Sequence, residues 1–154
     1  MKFDFAIGNP PYQEETKNNG RQSPVYNKFM DEAFKVADCV ELITPARFLF
    51  NAGQTPKAWN DKMLNDEHFK VLQYEPDASK VFSNTEIKGG VAITIRDDIK
   101  SYGAIKVFTS HQELNHIIKK VVEVIGQEEC LDSIISSRGC YRTTDVFFQD
   151  FPYA

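Results

Sequence analysis

Phe3-Asp4-Phe5-Ala6-Ile7-Gly8 is a short apolar run that stops against Asn9-Pro10-Pro11. Proline lacks an amide N–H, and two in succession cannot continue a strand ladder, so a buried strand over 3–8 has to end there. Residues 13–24 are polar around Asn18-Asn19-Gly20 and compose a mobile loop. Ser23-Pro24 then predicts an N-cap with proline at the first helical position. Tyr26, Phe29, Met30, Ala33, Phe34 and Ala37 recur at three and four, which predicts a helix to about Asp38.

The alternation continues. Cys39 to Thr44 reads as a strand ended by Pro45, and Thr55-Pro56 repeats the helix-start signal ahead of Trp59, Met63 and Leu64 on one face. Phe69 to Glu75 is a third strand. Pro76 to Lys88 is irregular, and Gly90 to Arg96, rich in β-branched residues, is a fourth. Strands alternating with helices indicate an α/β sheet with right-handed crossovers. Beyond Asp97-Asp98, Ala104 to Phe108 suggests a short strand. Ser110-His111-Gln112-Glu113 suggests a capping box for a helix with the stripe Leu114, Ile117, Ile118, Val121, Val122 and Ile125, closed by Gly126. That stripe is core or interface. The end, Ser136 to Ala154, is aromatic, with Phe147, Phe148, Phe151 and Tyr153, and reads as a chain cut short.

Composition excludes several classes. Hydrophobic residues at 42% and charged residues at 26% can build a core, so disorder is not expected. No apolar run spans a bilayer, and a cytoplasmic protein is expected. Cys39, Cys130 and Cys140 form no CxxC pair, and His68, His111 and His116 show no ligand spacing, so no metal site is expected. A net charge of −4 is awkward for a protein that binds a polyanion alone. A local basic patch remains open to Arg47, Lys80, Lys88 and Arg96.

Asn9-Pro10-Pro11-Tyr12 stands just past the carboxyl end of the first strand, where open α/β sheets place ligands. An exocyclic amine on a base is a poor nucleophile, because its lone pair is delocalised into the ring. Two acceptors aimed at its two N–H bonds favour a pyramidal nitrogen and free that pair. The Asn9 amide oxygen and the Pro10 carbonyl supply two such acceptors, and the prolines set their direction beforehand. Tyr12 offers a π-face for a base extruded from a duplex. Pro-Pro-Tyr is also compatible with a plain turn or a polyproline contact.

The segment Lys2 to Gln13 resembles the catalytic motif of adenine N6 methyltransferases linked to restriction-modification systems. Two further segments match in order. Leu42-Ile43-Thr44-Pro45-Ala46-Arg47-Phe48-Leu49 resembles the family's next strand, whose Pro45 end lies beside the target pocket. Val81 to Ile93 resembles a later motif in which an aromatic residue packs on the flipped adenine; Phe82 holds that position, facing Tyr12 or edge-on to it. The resemblance covers roughly residues 2–98. It implies the C-terminal half of a doubly wound Rossmann-like sheet: four strands, the last antiparallel, with helices on both faces. It also implies S-adenosylmethionine as donor in the complete enzyme and double-stranded DNA as substrate, with Arg47 and Lys88 as candidate DNA contacts. Other readings of these residues stay open. Phe82 also suits a core aromatic, Gly89-Gly90 a tight entry into the strand, and Arg47 a helix cap or solvated face. For Tyr141-Arg142-Thr143-Thr144, only composition suggests a DNA contact.

The family's donor-binding half precedes the Asn-Pro-Pro-Tyr motif, with a glycine-rich loop and an acidic residue for the ribose. Met1 stands only three residues ahead of Asp4, so this chain is expected to lack that half, to bind no cofactor alone and to be inactive by itself. Residues 1–103 are expected to form the catalytic half, and 104–154 a helical extension that begins a target-recognition region. The edge Phe3 to Gly8 is expected to meet the missing half or a partner subunit in the complete enzyme, and in this chain alone to self-associate or to be re-paired by the chain's own tail. The rival readings are a non-catalytic interaction module and a methyltransferase for another planar amine, on protein glutamine or an RNA base.

Overall fold

The structure, a computed structural model, describes residues 2–14, 23–83 and 86–125. The expected aromatic tail, Tyr141 to Thr144, Cys130, Cys140 and the centre of the 13–24 loop lie outside the described residues. The chain divides into a unit Met1–Lys119 and a unit Lys120–Ala154.

The first unit is built on a four-stranded sheet: β1 (Phe3–Gly8), β2 (Ala37–Pro45), β3 (Phe69–Glu75) and β4 (Val91–Asp97), in the order β1-β2-β4-β3. β1 and β2 are parallel, and β4 lies between β2 and β3 antiparallel to both. Two helices follow in sequence, α1 (Tyr26–Val36) after β1 and α2 (Lys57–Asn65) after β2, and α3 is Gln112–Ile125. The mixed α/β sheet with the last strand antiparallel agrees with the sequence expectation.

The core forms on one side of the sheet. Val40, Leu42 and Ala92 meet Met30 of α1, Trp59, Met63 and Leu64 of α2, and Phe48, Leu49 and Phe69. Phe48 packs with its ring centroid 5.2 Å from Trp59 and 6.2 Å from Tyr26. The indole N–H of Trp59 donates to Asp31 at 3.0 Å, which ties α2 to α1. The alternate residues of β1 point the other way: Phe3, Phe5 and Ile7 are 67%, 70% and 77% exposed.

The expected helices on both faces are not found for the two crossovers: α1 and α2 both pack on the core face. The reason lies in the winding. Both crossovers, β1 to β2 and β2 to β3, move the same way across the sheet, and right-handed connections that keep one direction keep one face. Only a reversal of direction from β1 would cover the other.

Four local expectations are corrected. Helix α1 begins at Tyr26 with Val25 as its cap and no side-chain cap bond, while Pro24 pairs with Gln13 in an isolated bridge. Helix α1 ends at Val36 because Ala37 is already extended, so β2 follows with no loop. Ala104 to Phe108 is not a strand. Its Lys106 amide donates to the Leu64 carbonyl of α2, as the preceding Tyr102 amide does to that of Glu67, and its apolar Ile105 and Phe108 pack on the core from an irregular path. The start of α3 is held by Asn115, whose side chain accepts the Thr109 amide at 2.7 Å and donates to the Thr109 carbonyl, in place of a Ser110–Glu113 box. Leu114 and Ile117 of its stripe are exposed. Among the described residues, no helix is long and apolar enough to cross a membrane.

Candidate active site

Strand register brings three loops to one end of the sheet. Gly8 pairs with Leu42, and Val91 pairs with both Pro45 and Glu75. The residues after Gly8, after Pro45 and between Glu75 and Val91 therefore emerge together, at the carboxyl ends of β1, β2 and β3. Asn9-Pro10-Pro11-Tyr12, Pro45-Ala46-Arg47 and the stretch holding Phe82 and Lys88 occupy these loops.

The first loop is anchored at its far side. The Tyr12 carbonyl accepts the Val25 amide at 3.1 Å, and the Glu14 amide donates to Ser23 at 3.0 Å, so the chain returns to α1 through a small ladder. Asn9 and Pro11 are exposed, Pro10 and Tyr12 partly buried. The Tyr12 ring meets Phe82 edge-on, with centroids 6.3 Å apart and planes at 72°. Phe82 is placed by its own loop. Its amide donates to the Ala78 carbonyl at 2.8 Å, above a turn capped by the Asp77 carboxylate, which accepts the Ser79 amide and hydroxyl. A base sandwiched between two rings needs them parallel. This arrangement instead offers a base one ring face and one ring edge.

The Tyr12 hydroxyl is buried without a hydrogen-bond partner among the described residues, and burial pushes its pKa up to about 12. It stays neutral at any ordinary pH, so Tyr12 presents a ring rather than a titrating group. Thr44 Oγ1 and Asn27 Oδ1 are likewise buried and unpartnered among the described residues. Sequence reading missed both; Thr44 showed only as the end of an apolar run, with nothing to mark its hydroxyl as orphaned.

The second and third loops are sewn together. The Ala46 amide donates to the Gly90 carbonyl at 3.0 Å, and the Tyr74 hydroxyl to that of Gly89 at 3.2 Å. Gly89 and Gly90 have φ of 88° and 74°. A Cβ on Gly90 would stand 2.3 Å from the Glu75 carbonyl oxygen, so the glycine pair serves the tight entry into β4.

The expected basic patch is smaller than its four candidates. Arg96 sits at the opposite end of antiparallel β4, where its Nε bonds Asp66 at 2.8 Å and its Nη1 bonds Asp98. Lys80 pairs with Glu75 at 3.3 Å. Arg47 and Lys88 remain at the loop end, both exposed, with no ion pair among the described residues. The described residues also contain no cluster of three or more metal-ligating side chains.

Comparison with known proteins follows the same residues. A model of the Eco57I restriction-modification methylase family matches residues 1–82, from the strand ahead of Asn9 to Phe82 itself. Over 99 residues the chain is 30% identical to an uncharacterised adenine-specific methylase of Mycoplasma pneumoniae, an alignment covering 62% of this chain and 24% of that protein. The chain thus spans about a quarter of the length of that relative. No solved structure matches. The family match takes in more than half of the chain and both strands that deliver Asn9 and Pro45, and on that ground the chain belongs to the Eco57I restriction-modification methylase family.

Proposed function

We propose that this chain is the target-base half of a DNA adenine N6 methyltransferase. The observation that carries the reading is the Asn9-Pro10-Pro11-Tyr12 loop at the carboxyl end of β1, with the Tyr12 ring held edge-on to Phe82. An extruded adenine stacks on Tyr12 and rests its edge on Phe82, beside Pro45. The Asn9 amide oxygen and the Pro10 carbonyl accept the two N–H bonds of its 6-amino group. That draws the lone pair out of the ring and aims it for in-line attack, without a covalent enzyme intermediate. Arg47 and Lys88 contact the DNA backbone.

S-adenosylmethionine supplies the methyl group in the complete enzyme. The described strand-to-helix loops carry proline after β1 and after β2, not the glycine-rich turn that cradles such a donor, so the residues here fit the base side and not the donor side. Two exposures support a partner on the β1 side: the outer edge of β1 is unpaired in the described sheet, and Phe3, Phe5 and Ile7 lie bare on one face. A donor-binding half wound the opposite way from β1 extends the sheet at that edge and lays its helices on that face. In this organisation, residues 1–103 form the catalytic half and 104–154 begin a target-recognition region.

The bare edge and face also favour a second reading, a non-catalytic module that binds a partner subunit or a second copy of itself. Asn9→Ala separates the two. With the chain and its donor-binding half combined, the variant is expected to lose at least about a hundredfold in methyl transfer to duplex adenine, the scale of one preorganised hydrogen bond in an active site. Partner binding should be unchanged. Equal transfer by the variant contradicts the proposed chemistry. Transfer to protein glutamine or RNA in preference to DNA reassigns the substrate.

A further inference from the structure

The Arg47 side chain lies in a slot made by two glycines. A Cβ on Gly89 would come within 3.2 Å of Arg47 Cβ and Cγ, and one on Gly53 within 3.4 Å of its Cδ. Both glycines have positive φ, 88° and 103°, and they belong to different loops. Two side-chain-free positions thus flank the aliphatic stem of one exposed arginine. The backbone bond from Ala46 to Gly90 locks the same two loops one residue away.

Among the described residues, Arg47 differs from the paired cations of this chain, as do Lys57, Lys70, Lys88 and Lys106, and it alone of these is a guanidinium. The other arginine among the described residues, Arg96, is bound by Asp66 and Asp98, and Lys2, Lys28, Lys35, Lys62 and Lys80 each have a carboxylate within 3.5 Å. Arg47 has none among the described residues, yet its stem is the one given a fitted slot. Its charge also reaches the buried Tyr26 hydroxyl, where it opposes the upward push of burial. In a chain of net charge −4, an unpaired, pre-positioned guanidinium at the end where Asn9 emerges calls for an anion from outside. Guanidinium recognises phosphate with a planar, bidentate fork, and holding its stem beforehand reduces the freedom lost on binding.

We infer that Arg47, held between Gly53 and Gly89, clamps a phosphodiester of the strand that carries the extruded adenine. This rests on the methyltransferase reading above and deepens it. The glycines are positioning residues; the guanidinium makes the contact.

The test uses the full chain and a fluorescein-labelled DNA duplex with one adenine opposite an abasic site, titrated at several salt concentrations without methyl donor. Losing one phosphate contact lowers the slope of log K against log salt by about 0.9. Arg47→Ala is expected to show that loss with an unchanged melting temperature, and Arg47→Lys to keep the slope while binding several-fold more weakly. Gly53→Ala is expected to weaken binding when Arg47 is present and to add nothing to Arg47→Ala, as for two groups that act through one contact. An unaltered slope in Arg47→Ala, or full additivity of the two substitutions, overturns the clamp. If the clamp alone is wrong, the wild-type chain still prefers the extruded adenine and loses that preference on Asn9→Ala. No preference in the wild-type chain overturns the methyltransferase reading and the clamp together.

Discussion

Alanine substitution at Gly89 and Gly90 should have sharply different costs, although the residues are adjacent and share a left-handed backbone. With φ of 88° and 74°, either alanine costs about 1–2 kcal/mol in backbone strain alone. The surroundings then diverge. At Gly89 the nearest atoms are the Arg47 side chain at 3.2 Å, which can swing aside into solvent. At Gly90 they are the Glu75 carbonyl oxygen at 2.3 Å and the Pro76 Cα at 2.7 Å, both backbone. Relieving that overlap means opening the Glu75–Val91 pair of β3 and β4 and the bond from Ala46 to Gly90. Gly89→Ala should therefore cost about 1–2 kcal/mol, and Gly90→Ala more than about 4 kcal/mol, the range reserved for gross misfits. At roughly 4 °C per kcal/mol for a unit of this size, the first lowers the melting temperature by about 4–8 °C and the second by more than about 15 °C. Calorimetric melting of both variants reads the difference. Values within about 1 kcal/mol of each other refute the argument that backbone overlap, rather than φ alone, distinguishes the two positions.

Three further outcomes follow from single contacts. Phe48→Ala empties the centre of a ring cluster with Tyr26, Trp59 and Phe69, and should cost about 3–5 kcal/mol by urea denaturation; a loss below about 2 would mean that the cluster is not the core. Tyr12→Phe removes a buried hydroxyl with no partner among the described residues, so stability should hold or rise by up to about 1 kcal/mol; a loss of that size instead means that the hydroxyl is satisfied in solution. The hydrogen bond from Lys2, and then Arg96, holds the Asp98 carboxyl below its usual pKa. Its stabilisation is complete above the unfolded value near about pH 4 and is lost as pH falls through the lower folded value. Lys2→Met should reduce stability at neutral pH and flatten the acid fall; a parallel acid limb with and without Lys2 contradicts this pairing.

The strands were the most legible part of the sequence. β1 and β3 match their predicted bounds, because the end of each is marked by a breaker, Asn9-Pro10 in one case and Pro76 in the other. The antiparallel last strand was also anticipated. Capping was less legible. Pro24 and Pro56 both announced helices, yet neither occupies the first helical position: Pro24 is taken up by its bridge to Gln13, and Pro56 stands one place earlier as the cap of α2, its carbonyl accepting the Trp59 and Asn60 amides. The placing of Arg96 in a basic patch failed for a reason the sequence already held: on an antiparallel strand, the last residues lie at the end away from Asn9. The bare face needed the topology, because only the strand order shows that both crossovers step the same way. The Arg47 slot was out of reach, as Gly53 and Gly89 are 36 residues apart and nothing local links either to Arg47.

The grip of Asn9 and Pro10 on the 6-amino group of an extruded adenine is checked by comparing two duplexes in binding to the full chain, one presenting adenine opposite an abasic site and the other presenting unsubstituted purine there. Two hydrogen bonds of about 0.5–1.5 kcal/mol each correspond to a preference of roughly 5- to 150-fold for adenine. A preference in that range, reduced by Asn9→Ala, is expected. Equal affinity for the two duplexes would contradict it.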